Sequence, residues 1–102
     1  MKLTYATALV LEALAGGSHH GFDVMDATGL PSGTVYPVLR RLEQEGLVRS
    51  RWEKPELAQR ESRPPRRYYE LLAAAEEWLA AARQRYRRPS ARRLLPAKGG
   101  AS

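Results

Sequence analysis

The residues of this sequence that could bind a metal ion lie close together near its start. His19 and His20 are adjacent, and Asp23 follows His19 by four residues, a spacing that places two side chains on one helix face. A zinc site needs three or four ligands, and the chain has no cysteine and no other histidine. A complete site would need ligands from a second subunit. We therefore expect a histidine that packs or hydrogen-bonds at the start of a helix, and we predict no metal and no cofactor.

Covalent catalysis has little support among the nucleophilic side chains. Ser18 or Ser32 could pair with His20, but the sequence shows neither a carboxylate to orient the histidine nor a nucleophile elbow. The glycine pair at residues 16–17 is too short for a phosphate-binding loop and no lysine follows it. We therefore expect that the chain is not an enzyme.

Arginine is the residue type whose placement is most informative. The 102 residues include 17 Lys and Arg against 11 Asp and Glu, which gives a net charge of +6. Every basic residue except Lys2 lies at or after Arg40. Arginine binds phosphate groups through two parallel hydrogen bonds, so this distribution points to nucleic acid. A solvated basic surface with no partner is the alternative.

The length and composition are those of one globular domain. Hydrophobic residues make up 43% of the chain and charged residues 27%. No apolar stretch approaches the roughly 20 residues that cross a bilayer, and the first residues do not form a secretory signal. We expect a cytoplasmic protein with no membrane partner.

Two helices are predicted before residue 28. Apolar side chains recur at helical spacing over residues 6–14, and Gly16 ends that helix. Ser18 fits the N-cap of a second helix that ends at Ala27, and we expect Phe22 to face inward from it.

A third helix is predicted over residues 32–45, after a turn of three residues. Ser32 or Thr34 fits its N-cap, and Arg40 and Arg41 lie away from its apolar side. That apolar side consists of Val35, Val38, Leu39 and Leu42. Two helices joined by a short glycine-containing turn are typical of a helix-turn-helix, whose second helix enters the DNA major groove.

The hydrophobic period changes from helical to alternating at residue 47. Strands are predicted at residues 47–53 and 66–71. The segment between them, residues 54–65, is long for a hairpin loop and carries several basic residues. The sequence therefore predicts a mainly helical α+β fold, a winged helix-turn-helix with a two-stranded basic wing.

The residues after the second strand return to a helical pattern. One apolar face contains Trp78 and Tyr86, and so small a domain offers no obvious partner for it. We predict that this helix, residues 72–88, forms a homodimer, with a winged-helix domain at residues 1–71 and a flexible basic tail at residues 89–102. The predicted dimer interface comprises Leu9, Leu72, Ala75, Trp78, Leu79, Ala82 and Tyr86.

The sequence resembles PadR-family transcriptional regulators over about residues 3–72. The most specific run is Gly33-Thr34-Val35-Tyr36-Pro37-Val38-Leu39-Arg40-Arg41-Leu42, supported by His20-Gly21-Phe22-Asp23-Val24 and Arg67-Tyr68-Tyr69-Glu70-Leu71. The resemblance implies a winged-helix fold, a homodimer and a role as a bacterial repressor. The chain departs from the family where Leu72-Ala73 replaces a frequent Thr and Gly, and where its C-terminal part is short, as in the branch with a single terminal helix.

The predicted DNA interface combines the third helix with the wing. Tyr36, in the first turn of that helix, is expected to contact a phosphate or a base edge, with a core position beside Val35 as the alternative. Ser32 and Thr34 could donate to phosphate as well as cap the helix. The full set is Ser32, Thr34, Tyr36, Arg40, Arg41, Lys54, Arg60, Arg63, Arg66 and Arg67.

We therefore expect a sequence-specific repressor that binds a near-palindromic double-stranded operator as a homodimer. A small aromatic effector could bind between subunits near Trp78 and Tyr86, where interface core is the alternative. A winged-helix adaptor that binds protein without specific DNA binding is the alternative function.

Overall fold

The order of helices and strands is that of a winged helix, which confirms the predicted fold class. A computed structural model describes residues 1–86. The predicted tail, residues 89–102, and residues 87–88 of the predicted dimerisation helix lie outside the described residues. The elements are α1 Tyr5–Ala15, α2 Gly21–Thr28, α3 Ser32–Gln44, β1 Val48–Trp52, α4 Pro55–Arg60, β2 Arg67–Leu71, a 3₁₀ turn Ala73–Ala75, and α5 Glu76–Arg85.

The core lies where α1, α2 and α3 meet. The N-cap of helix α1 is Thr4, whose hydroxyl accepts a hydrogen bond from the backbone N–H of Thr7 at 3.1 Å. Its buried side chains pack against Val24 of α2 and Leu39 of α3 within one apolar cluster. The apolar period over α3 therefore predicted its packing face correctly, whereas α1 is also buried outside its predicted apolar face, at Ala8 and Leu11.

The start and the orientation of α2 differ from expectation. His20 rather than Ser18 is the N-cap, and its Nδ1 accepts from the backbone N–H of Asp23 at 3.5 Å. Phe22 was expected inside but is exposed, whereas Val24 is fully buried. The buried face of α2 is the line of Gly21, Val24 and Thr28, and Phe22 lies about 200° around the helix from Val24.

Helix α3 has no side-chain cap, so the expected capping by Ser32 or Thr34 is wrong. The N-cap residue is Pro31, whose carbonyl accepts from the backbone N–H groups of Thr34 and Val35 at 2.9 and 3.0 Å. Ser32 is therefore already inside the first turn, and it is exposed, whereas Thr34 is half-buried.

The wing is an antiparallel hairpin in which Val48 pairs with Leu71 and Trp52 pairs with Arg67. The segment before α2 joins this sheet, since the backbone N–H of Tyr69 donates to the carbonyl of His19 at 2.7 Å. The expected loop between the strands contains helix α4, which begins with Pro55 at its first position. Proline is favoured there because the first N–H groups of a helix have no partner within it.

Helix α5 packs against α1 of the same chain, which corrects the expectation that its apolar face has no partner in the domain. Leu9, Ala75 and Ala82 are at most 3% exposed in the single chain. Arg83 joins the two helices through an ion pair with Glu12 at 2.9 Å. The other predicted interface residues remain half-buried and accessible to a second subunit: Leu72, Trp78, Leu79 and Tyr86.

None of the helices formed by residues 1–86 has the length and apolar composition that a bilayer span requires.

Candidate nucleic-acid interface

The outward face of α3 carries a line of polar side chains at four-residue intervals. Ser32, Tyr36 and Arg40 all lie on it, because residues four apart stack above one another on a helix. All three are exposed, and so is Arg41 on the adjacent line. The opposite face is buried in the core. The helix therefore presents polar and cationic groups from a rigid support.

Tyr36 lies across the beginning of α2. Gly21 is buried at that point, and a Cβ atom there would collide with the ring and hydroxyl of Tyr36. Tyr36 is nevertheless 38% exposed, which rules out the alternative of a core aromatic beside Val35. The absence of a side chain at Gly21 therefore lets Tyr36 lie across α2 at the surface. This role of Gly21 depends on the close approach of α2 and α3, which the sequence does not show.

The base of the wing contains an ion pair between the buried Glu53 and the half-buried Arg63. Glu53 accepts from the Arg63 guanidinium at 2.6 and 2.8 Å, from the backbone N–H of Arg66 at 3.1 Å and from the Tyr68 hydroxyl at 3.3 Å. Its hydrogen bonds with Arg63 lower the pKa of Glu53 from 4.5 to about 2, against the effect of desolvation. Arg63 also pairs with Glu61 at 3.0 Å. These contacts join the two ends of the segment between β1 and β2.

A second polar cluster joins α3 to both strands of the wing. The Ser50 hydroxyl donates to Glu43 Oε2 at 2.7 Å and accepts from Arg67 Nε at 2.9 Å. Arg67 Nη2 donates to Glu43 Oε1 at 3.3 Å, and its guanidinium lies 5.4 Å from the Trp52 ring centre. The wing therefore has a defined position relative to α3.

The predicted DNA-contacting cations divide into two groups. Arg63 and Arg67 are paired with acids as described above. Among residues 1–86, the remaining five make no ion pair with an acidic side chain: Arg40, Arg41, Lys54, Arg60 and Arg66. All five are exposed except Arg66, which is half-buried. Their charges remain available to an anionic partner.

A cleft of about 600 Å³ separates α3 and the start of α2 from the wing. Its lining includes four aromatic side chains and two of the cations without acidic partners, namely Phe22, Tyr36, Trp52, Tyr69, Arg40 and Arg66. Burial raises the pKa of the Tyr69 hydroxyl further above its ordinary value of 10.0. Sequence reasoning missed Phe22, Trp52 and Tyr69 as site residues. The alternation along β1 places Trp52 on the side of Ser50, but the sequence gives no signal for Phe22.

The histidine pair has a structural role at the start of α2. Besides capping the helix, His20 is buried and its ring meets the Tyr68 ring edge-on at 5.7 Å. Within residues 1–86, no three His, Asp or Glu side chains are grouped so that they could hold a metal ion.

Comparison with known proteins points to one family. The family model described as "Transcriptional regulator PadR-like family" matches residues 10–81. The fold is similar to that of a PadR family transcription regulator from hypervirulent Clostridium difficile, with a TM-score of 0.69 and 22% identity over 82% of this chain and 88% of that one. It is also similar to a PadR-like transcription factor from Bacteroides fragilis, with a TM-score of 0.63 and 22% identity over 79% of each chain. No curated protein matches the chain.

Proposed function

Because the chain belongs to the PadR-like family of transcriptional regulators, we propose that it is a repressor that binds a near-palindromic operator as a homodimer. Membership of a family of regulators agrees with the expectation that the chain is not an enzyme. The cytoplasm is the compartment in which a bacterial repressor meets its operator, and we propose that location for it.

The observation that carries the proposal is the group of cations without acidic partners on α3 and the wing. An arginine already paired with a carboxylate has little net charge to offer, whereas an unpaired one can neutralise a phosphate and release its counterions. Arg40 of α3 and Arg66 of the wing both line the cleft between these elements. Cations from two elements of the fold therefore converge on one surface.

In the proposed complex, α3 enters the major groove and the wing lies over the neighbouring backbone. Tyr36 and Ser32 contact phosphates near the start of α3, and Arg40 reaches a phosphate or the edge of a guanine. Lys54 and Arg60 bring the wing to the backbone or the minor groove. Contacts of Arg63 and Arg67 with DNA stay predictions, because both guanidinium groups already bind carboxylates within the chain.

The proposed homodimer uses the half-buried apolar side chains at the C-terminal end of the described chain. Trp78 and Leu79 pack partly against the core and leave part of their surface accessible. A two-fold dimer presents two copies of α3, which fits half-sites separated by about one helical turn of DNA, roughly 34 Å. A small aromatic effector between the subunits, near Trp78 and Tyr86, stays a prediction.

Selection of duplexes from a random pool, followed by affinity measurements over a salt series, tests this function. We expect an enriched near-palindromic site, and an affinity that falls steeply with salt, by about 0.9 in log–log slope for each phosphate contact. Arg40→Ala should weaken binding to the selected duplex. Arg49→Ala is the matched control, because it removes the same charge from the opposite face of β1, where Arg49 pairs with Glu70.

The contradicting result is a protein that enriches no sequence and binds every duplex weakly with little salt dependence. That outcome would favour the adaptor function instead. Sedimentation tests the dimer separately: we expect a dimer at micromolar concentration that Trp78→Asp dissociates, and a monomeric wild type would contradict it.

A further inference from the structure

We propose that the cleft between α2, α3 and the wing binds a free mononucleotide, with its base among the aromatic side chains and its phosphate on Arg40 and Arg66. We infer further that the mononucleotide and the operator exclude each other. This second part rests on the proposed function, whereas nucleotide binding does not. The site is separate from the predicted effector site near Trp78 and Tyr86.

A DNA duplex has no exposed base face that the aromatic side chains of the cleft could stack against. Phe22 and Trp52 are 65% and 63% exposed, and Tyr36 and Tyr69 line the same space. A duplex presents phosphates and base edges, while the faces of its bases are covered by stacking. A thymine methyl group could contact one of these rings but not all of them. A free base exposes both faces, and base–aromatic stacking is favourable for any base.

The charges of the cleft match a phosphate group. Arg40 of α3 and Arg66 of the wing both line the cleft, and neither pairs with an acid among residues 1–86. The carboxylate of Glu43, which also lines the cleft, is already bonded to Ser50 and Arg67. The charged side chains of the cleft that are left without a partner of opposite charge are therefore cationic, and two arginines can bind several phosphate oxygens at once.

The size of the cleft suits a small molecule, and its walls are held in place. Its volume of about 600 Å³ lies within the range that small-molecule sites occupy. One wall is fixed by the close approach of Tyr36 to Gly21, and the other by the hydrogen bonds of Arg67 to Ser50 and Glu43. A ligand would therefore enter a site that needs little reorganisation.

Competition follows because the two ligands share side chains. Tyr36 and Arg40 line the cleft and also lie on the α3 face proposed to enter the major groove. A mononucleotide bound there would block that face directly, without a change in the dimer. Release of the operator would then respond to nucleotide concentration.

Tryptophan fluorescence provides the binding test. The chain has two tryptophans, so the Trp78→Phe variant reports on Trp52 alone. We expect AMP to quench this fluorescence in a saturable manner, because the adenine stacks on the indole. Adenosine, which lacks the phosphate, and ribose 5-phosphate, which lacks the base, should each bind at least about tenfold more weakly by calorimetry.

Variants locate the site. Phe22→Ala and Arg66→Ala should each weaken AMP binding about three- to tenfold or more. Leu57→Ala and Arg49→Ala change an exposed apolar and an exposed cationic residue outside the cleft, and both should bind AMP as the parent does. The absence of saturable quenching, or equal AMP affinity in all four variants, would overturn the proposed site.

The competition test uses the selected duplex. We expect AMP to raise the apparent Kd of the duplex in proportion to AMP concentration, while ribose 5-phosphate at the same concentration has little effect. Simultaneous binding of AMP and duplex would overturn the exclusion. A protein that binds AMP but no DNA would refute the proposed function and support the nucleotide site.

Discussion

Helix α3 and the wing are neighbours in the proposed interface, but different forces hold them in place. Four side chains of α3 are buried in the apolar core, and three of them are 0% exposed. The segment between the wing strands buries only one apolar side chain, Ala58, together with the carboxylate of Glu53. The position of α3 therefore depends on hydrophobic burial, whereas the segment between the wing strands is held mainly by ion pairs.

The arginines of the proposed interface have two different roles, structural and DNA-binding. Arg63 and Arg67 bind carboxylates that fix the wing, whereas Arg40 and Arg60 have no acidic partner among residues 1–86. Sequence proximity does not distinguish them, since Arg60 and Arg63 belong to the same short segment. Removing an arginine that binds a carboxylate should therefore affect the structure of the wing, whereas removing one without an acidic partner should affect DNA affinity.

The largest effect is expected from the apolar support of α3. Leu39→Ala removes a fully buried side chain and should lower the free energy of unfolding by about 2–5 kcal/mol. Leu57→Ala is the matched control, because Leu57 is 44% exposed and should change stability by less than about 0.5 kcal/mol. Urea denaturation measures both variants, and equal effects would contradict the role assigned to the α3 core.

The ion pair at the base of the wing should produce a local effect instead. Glu53→Gln keeps the shape of the side chain but removes the charge that binds Arg63. We expect faster hydrogen exchange at the backbone amides of Glu53 and Arg66, with no change in the amides of α3. Faster exchange in α3 as well as at the Glu53 and Arg66 amides would show that this ion pair also stabilises α3, which would contradict the difference between the two regions.

Acidification should weaken the same ion pair between Glu53 and Arg63 and should therefore also make the base of the wing less stable. The pKa of Glu53 in the folded chain is about 2, below its ordinary value of 4.5, so the carboxylate stabilises the wing above pH 4.5. That stabilisation is lost as the pH falls from about 4.5 towards 2. Trp52 fluorescence in the Trp78→Phe variant should follow the change, since Trp52 immediately precedes Glu53. The same transition in a protein that also carries Glu53→Gln would show that another group causes it.

The smallest effects concern the placement of Tyr36. Gly21→Ala should displace the Tyr36 ring and weaken operator binding about as much as Tyr36→Ala does. Tyr36→Phe removes only the hydroxyl and should weaken binding by about 0.5–1.5 kcal/mol. Full operator affinity in Gly21→Ala, with the fold intact by circular dichroism, would mean that the position of Tyr36 does not matter for binding.

The sequence predicted the parts of the fold that depend on hydrophobic period. The apolar spacing of α1 and α3 and the alternation in β1 and β2 gave the elements and the winged-helix order correctly. The sequence does not distinguish helix α4 from a loop, because Pro55 is compatible with a loop as well as with the first position of a helix. The inward orientation predicted for Phe22 is wrong because α2 buries the face that contains Gly21, Val24 and Thr28, and the sequence does not show which face of this short helix meets the core.

For the candidate site, the sequence predicted which types of residue take part but not which of them are available to bind a ligand. A cluster of arginines indicates an anionic partner, but whether each pairs with an acid depends on contacts between distant segments, such as Arg67 with Glu43. The cleft likewise brings together Phe22 of α2 and Trp52 of β1, which lie on either side of α3 in the sequence. Helix α5 illustrates the same limit, because its apolar face is partly covered by α1, more than sixty residues earlier, as the Arg83–Glu12 bond spanning 71 residues shows.

The most direct test of the two roles compares Arg60→Ala with Arg63→Ala by operator affinity over a salt series and by hydrogen exchange of the wing. We predict that Arg60→Ala makes the log–log salt slope shallower by about 0.9 and leaves exchange in the wing unchanged. Arg63→Ala should instead accelerate exchange at the Glu53 and Arg66 amides. An unchanged slope in Arg60→Ala, together with a shallower slope and normal exchange in Arg63→Ala, would contradict the account.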